Sequence, residues 1–152
     1  MMNDKASTEL QGCQLNTCLF FSTTKLAREL GKLADDAFQK TGLSPSHAFL
    51  LHVINQRVEI QQKEVGELLR LTPSTITRLI DKLERKGYVK KQVEGKNVCL
   101  LATSEGQAQE DEIIASWNQL HEEYQNILTE EETASFLELS GRLLQKLSEK
   151  TK

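Results

Sequence analysis

Apolar residues recur every three or four positions along most of this chain, and the breaks in that rhythm divide it into helices. Residues 15–38 carry Leu19, Leu26, Leu30, Leu33, Ala37 and Phe38 at helical spacing, with Gly42 as the closing residue, which predicts one long amphipathic helix. Ser44-Pro45 then reads as a cap followed by a proline in the first helical position. A second helix is expected to run to about residue 56 with Phe49, Leu50, Val53 and Ile54 inward. A third, shorter one is predicted over 62–70, burying Val65, Leu68 and Leu69. After a brief turn at Leu71, Thr72-Pro73 repeats the cap-and-proline start, and the helix it opens runs to Lys86 and stops at Gly87. Ile76, Leu79, Ile80 and Leu83 form its inner stripe, while Ser74, Thr75, Thr77, Arg78, Asp81 and Lys82 form the opposite face.

The rhythm changes to β-prone runs at 89–93 and 97–101, separated by Glu94-Gly95-Lys96, which predicts a small hairpin. Helical spacing then resumes. Thr103 is placed to cap a long helix carrying Ile113, Trp117, Leu120, Tyr124 and Ile127. Thr129 with Glu132 forms a capping-box pattern ahead of a last helix carrying Phe136, Leu139, Leu143 and Leu147. Two helices joined by a tight turn, the second with a short-polar and basic outer face, followed at once by a hairpin, read as a helix-turn-helix with a wing. The expected fold class is therefore mainly α: a winged helix-turn-helix over 44–103, with helices from both chain ends (1–43 and 104–152) forming a dimerisation region. Those outer helices carry full apolar stripes that need a partner surface, and a second copy is the economical one. Packing of the same helices onto the winged unit of their own chain is the alternative.

Charge sharpens the picture. The chain of 152 residues has a formal net charge of -3, which by itself does not suggest a nucleic-acid binder. Between Arg70 and Lys96, however, eight bases (Arg70, Arg78, Lys82, Arg85, Lys86, Lys90, Lys91, Lys96) face three acids (Asp81, Glu84, Glu94), a local excess of +5 on an otherwise acidic body. One basic face on an acidic molecule is the footprint of phosphate binding. Chain length fits a single domain or one core with added helices. No run of about 18 uncharged apolar residues is present, so no membrane span is expected. Residues 1–14 lack the basic-then-apolar order of a signal peptide, and the expected compartment is the cytoplasm.

Three cysteines at irregular spacing make neither a disulfide framework nor a zinc pattern. Cys99 in the second wing strand reads as packing or a surface thiol. His47, His52 and His121 are scattered, without the paired spacing of a metal site, and no nucleophile motif or carboxylate pair is recognisable. No metal, cofactor or enzymatic activity is expected.

The run from Leu71 through Thr72-Pro73-Ser74-Thr75-Ile76-Thr77-Arg78 to Gly87-Tyr88-Val89 resembles the recognition helix and first wing strand of the MarR family (multiple antibiotic resistance regulators). Thr103-Ser104-Glu105-Gly106 is similar to that family's step into its fifth helix, and Gly42-Leu43-Ser44-Pro45 to the entry of its second. The resemblance implies a homodimeric transcriptional regulator, a repressor released by a small-molecule or redox signal, bound to a pseudo-palindromic operator in double-stranded DNA. It places Thr72, Pro73, Ser74, Thr75, Thr77 and Arg78 at the major groove, where short hydroxyls allow close approach and arginine can grip guanine in a bidentate way. Lys82, Arg85, Lys90, Lys91 and Lys96 would meet phosphates or serve the wing.

Effectors in the family are often small anionic aromatics bound between the dimer body and the winged unit. The family wing usually holds an Asp-x-Arg element. Here Val93-Glu94-Gly95-Lys96-Asn97 offers only Lys96, which suits a narrow minor groove less well. Cys18 lies where the hydroperoxide-sensing branch carries its reactive cysteine, although Phe20 and Phe21 stand nearby instead of that branch's tyrosines. The other reading of Cys18 is a small buried hydrophobe. A competing function is a helical-dimer ligand- or protein-binding module with weak or non-specific DNA binding.

Overall fold

The only two prolines of the chain, each directly after a hydroxyl side chain, set the starts of the two helices that frame the winged unit. The computed structural model describes residues 17–151. Helix α1 spans Leu19–Phe38 and passes through a 3-10 turn, Gln39–Thr41, that Gly42 ends with φ 70°. Helix α2, Pro45–Asn55, begins with the Ser44 hydroxyl accepting from the amide of His47 at 3.3 Å. Strand β1, Ile60–Gln61, leads directly into α3, Gln62–Leu69. Helix α4 is Pro73–Arg85, β2 is Val89–Glu94 and β3 is Asn97–Ala102. The chain closes with α5 (Ser104–Ala108), α6 (Glu110–Gln125) and α7 (Glu130–Lys150).

The three strands form one antiparallel sheet in the order β1-β3-β2, with Ile60 opposite Leu100 and Lys91 opposite Leu100 on the other side. Helix α4 packs on β2 and on α2 and α3, and α1 lies along α6. Phe38, Leu50, Leu51, Ile54, Val65, Ile76, Ile80, Leu83, Leu100 and Ile113 are fully buried and join these elements in one core. No helix among the described residues is long and apolar enough to cross a membrane.

Several boundaries and orientations differ from expectation for identifiable reasons. The first helix begins at Leu19, with Cys18 in the extended capping position; residues 15 and 16 lie outside the described residues. Helix α3 ends at Leu69 rather than 70, because Arg70 turns into the left-handed region (φ 53°), and Leu68 points outward at 55% exposure. The expected single helix after Thr103 is divided at Gln109 into α5 and α6. Strand β1 was not anticipated, since two residues carry no readable period. The wing turn is tighter than a three-residue loop: Glu94 pairs with Asn97, leaving Gly95 and Lys96 alone at the tip, and Gly95 (φ 62°) supplies the conformation that a two-residue hairpin loop demands.

Helix α7 buries none of its residues against its own chain. Its capping box forms as expected, Thr129 accepting from the Glu132 amide at 3.1 Å while Glu132 reaches back to the Thr129 amide at 3.3 Å. Phe136, Leu137, Leu139, Leu143, Leu144 and Leu147 remain exposed, as do Leu19, Phe20, Phe21 and Trp117.

Candidate nucleic-acid interface

Helix α4 is amphipathic because its apolar residues sit one turn apart. Ile76, Ile80 and Leu83 are buried and Leu79 is half-buried, which turns Ser74, Thr77, Arg78, Lys82 and Arg85 to the outside. Its first turn is fixed by Thr72, whose hydroxyl accepts from the Thr75 amide at 3.4 Å and lies 2.9 Å from the Thr75 hydroxyl. Thr77 is tied twice, donating to the Pro73 carbonyl at 2.9 Å and receiving the Gln62 amide nitrogen at 3.1 Å. Of the residues expected at a major groove, Thr72 and Thr77 therefore spend their hydroxyls on shaping the helix and joining it to α3. Ser74 and Arg78 are exposed, Thr75 is half-buried, and Pro73 occupies the first helical position.

Among the described residues, Arg78, Lys82, Arg85, Lys86, Lys90 and Lys96 form no ion pair, and all six are exposed. Lys82 and Arg85 also stand in the last turn of α4, where the helix dipole favours cations. His47 at the start of α2 faces the same region. Burial, together with the ammonium groups of Lys82 and Lys86, holds its imidazole below the ordinary histidine value, and its Nδ1 lies 2.5 Å from the Ser44 hydroxyl. Unpaired bases from α4, β2 and the wing tip thus create a positive surface around the outer face of α4. Lys91 is the exception: its ammonium is hydrogen-bonded to Asp81 and stands 3.7 Å from Glu84.

The wing is held to the rest of the chain at the step into α5. Thr103 accepts from the Gly106 amide at 3.0 Å while its hydroxyl donates to the Gly87 carbonyl at 2.6 Å. A groove of about 550 Å³ opens between α3, the start of α4 and the wing tip, lined by Leu71, Pro73, Ile76 and Val98 together with Lys63 and Lys96. Cys99 is buried in β3, and burial, with the Glu59 and Glu94 carboxylates nearby, pushes its thiol up; it is packing. Cys18 is exposed at the N-terminus of α1, and Cys13 lies outside the described residues.

Sequence reading missed a polar joint between the winged unit and the outer helices. The Glu110 carboxylate, at the start of α6, is hydrogen-bonded to His52 and receives Asn55 at 2.7 Å and Gln56 at 3.2 Å. Asn55 also donates to the Gly106 carbonyl at 3.2 Å. The His52 ring meets the edge of Trp117 at 5.4 Å, and Trp117 continues to Phe49 at 4.7 Å. These partners lie more than fifty positions apart along the chain, beyond the reach of any local pattern.

Comparison with known proteins agrees with this geometry. The MarR family profile matches residues 41–97, from the end of the 3-10 turn to the first residue of β3. The HTH-type transcriptional repressor MdtR of Bacillus subtilis is 26% identical over 113 residues, covering 72% of this chain and 73% of its own. A mutant MarR from E. coli, solved complexed with operator DNA, shares the fold with a TM-score of 0.75 at 20% identity over 86% of this chain and 97% of that one. CouR from Rhodococcus jostii, bound to p-coumaroyl-CoA, does so with a TM-score of 0.71 at 23% identity over 88% and 93%. The MarR family profile thus matches the segment from α2 to the wing, and the chain shares the fold of these solved structures.

Proposed function

We propose that this protein is a homodimeric, sequence-specific DNA-binding transcriptional regulator of the cytoplasm, a repressor released from its operator by a small-molecule or redox signal. The observation that carries the reading is the outer face of α4: Ser74 and Arg78 stand exposed there, and Arg78, Lys82, Arg85, Lys90 and Lys96 form no ion pair among the described residues, whereas Lys91 is paired with Asp81 and Glu84. A convex helix with that chemistry fits the major groove, short hydroxyls permitting approach and arginine offering paired donors to guanine. Lys82, Arg85 and Lys90 take the phosphates on either side, and Lys96 at the wing tip takes the flank. MdtR's description as a repressor and the operator DNA bound to E. coli MarR support the assignment. The p-coumaroyl-CoA held by CouR supports an effector of aromatic, anionic character. Residues 44–103 serve as the DNA-binding region, while 1–43 and 104–152 serve dimerisation, since the apolar faces of α1 and α7 require cover.

Arg78→Ala tests base reading. It is expected to cost about 1–3 kcal/mol on a preferred sequence and much less on random duplex, narrowing the ratio between them. Fluorescence anisotropy on both duplexes measures this. An equal loss on both would remove Arg78 as a base reader.

A further inference from the structure

Five bases assigned to DNA on α4 and the wing, Arg78, Lys82, Arg85, Lys90 and Lys96, are exposed and free of ion pairs among the described residues. Lys91 differs from them in every respect. It lies on β2 beside α4, its side chain is only 26% exposed, and its ammonium reaches Asp81 and Glu84, two carboxylates one turn apart on α4. The hydrogen bond to Asp81, reinforced by the field of Glu84, raises its affinity for the proton above that of an ordinary lysine. A charge held this way is not available to a phosphate unless two carboxylates are first left unscreened beside the DNA.

We propose that Lys91 is a positioning residue: it staples the wing strand to the recognition helix through Asp81 and Glu84, and it screens those two carboxylates from the DNA backbone. The proposal rests on the DNA-binding reading above and replaces the phosphate contact that the sequence suggests for this lysine. Mechanically, β2 is an edge strand of the sheet, and this cluster links the middle of the wing to the exposed side of α4. Fixing the angle between wing and helix matters only when both must engage one duplex together. The effect therefore falls on preferred sequences more than on random ones.

The test compares wild type with Lys91→Met, Lys90→Met, Asp81→Asn and the Lys91→Met/Asp81→Asn double variant, on a selected operator and on random duplex across a salt series. Lys90→Met, as a phosphate contact, is expected to lower the slope of log K against log salt by about 0.9 and to weaken both duplexes alike. Lys91→Met is expected to leave the slope nearly unchanged and to lower the operator-to-random ratio, on the order of tenfold. It is expected to add little once Asp81→Asn is present, because the two residues act as one unit. Hydrogen exchange gives a readout without DNA: amides of β2 should exchange faster in Lys91→Met and in Asp81→Asn, but not in Lys90→Met. Loss of about 0.9 from the slope in Lys91→Met, equal weakening of both duplexes and unchanged exchange would overturn the staple. A flat salt dependence in wild type would instead defeat the DNA-binding reading, while the exchange result would still decide whether the staple exists.

Discussion

Gly106→Ala is expected to lower the unfolding temperature by roughly 5–15 °C and to abolish DNA binding at temperatures where wild type is active. A Cβ at this position would lie 2.1 Å from the Tyr88 carbonyl oxygen and 2.9 Å from its carbon, far inside contact distance. The backbone at Tyr88 has little room to recoil. Its amide donates to the Leu83 carbonyl at the end of α4, and its carbonyl accepts from the Thr103 amide, both at 3.0 Å. Relief of the clash must therefore loosen either the end of the recognition helix or the Thr103 step that anchors the wing, a cost of about 2–4 kcal/mol. Gly66→Ala is the control within the same winged unit. Its methyl would stop 3.6 Å from Ile76 and 3.7 Å from the Leu71 carbonyl, an ordinary contact, and alanine suits a helix interior better than glycine. Calorimetry of both variants decides the matter; a Gly106→Ala midpoint matching wild type would contradict the close approach.

The second large effect concerns assembly. Leu139→Asp combined with Leu143→Asp is expected to convert a micromolar dimer into monomer and to weaken operator binding by 10²-fold or more, since two half-sites then bind separately. Helix α7 presents Phe136, Leu139, Leu143 and Leu147 along one stripe without burying any of them in its own chain. Covering a leucine stabilises by about 1.5–3 kcal/mol, so the stripe supplies ample driving force for a second copy, and a buried aspartate would reverse it. The buried core draws on α1 to α4, the sheet and α6 and includes no residue of α7, so the variant should keep its helical circular dichroism. Analytical ultracentrifugation measures the change. A wild type that sediments as a stable folded monomer at micromolar concentration would rule out the shared helical region.

The parts legible from sequence were those with strong local period or cap chemistry. The α4 stripe, the Ser44-Pro45 and Thr72-Pro73 starts, the Thr129/Glu132 box and the two wing strands all follow from neighbours within four residues of one another. What escaped depends on residues distant in sequence. Strand β1 exists because β3 offers Leu100 and Cys99 as partners, and Glu110 gains its role only from His52, Asn55 and Gln56 on α2. Lys91 shows the same limit at the candidate site. Composition counted it as one more base beside Lys90, whereas strand alternation turns it toward Asp81 and Glu84 and leaves Lys90 exposed. Leu68 was misplaced for a related reason: in a helix of eight residues, one apolar position off the stripe cannot be told from those on it.

Selection of bound sequences from a random duplex pool tests sequence-specific binding by a two-fold dimer most directly. The expected result is an enriched pseudo-palindrome whose half-sites are centred about 10 base pairs apart, one helical turn, so that two α4 helices enter successive major grooves. Recovery of no common motif after repeated rounds at moderate salt, or of a motif without two-fold symmetry, would contradict it.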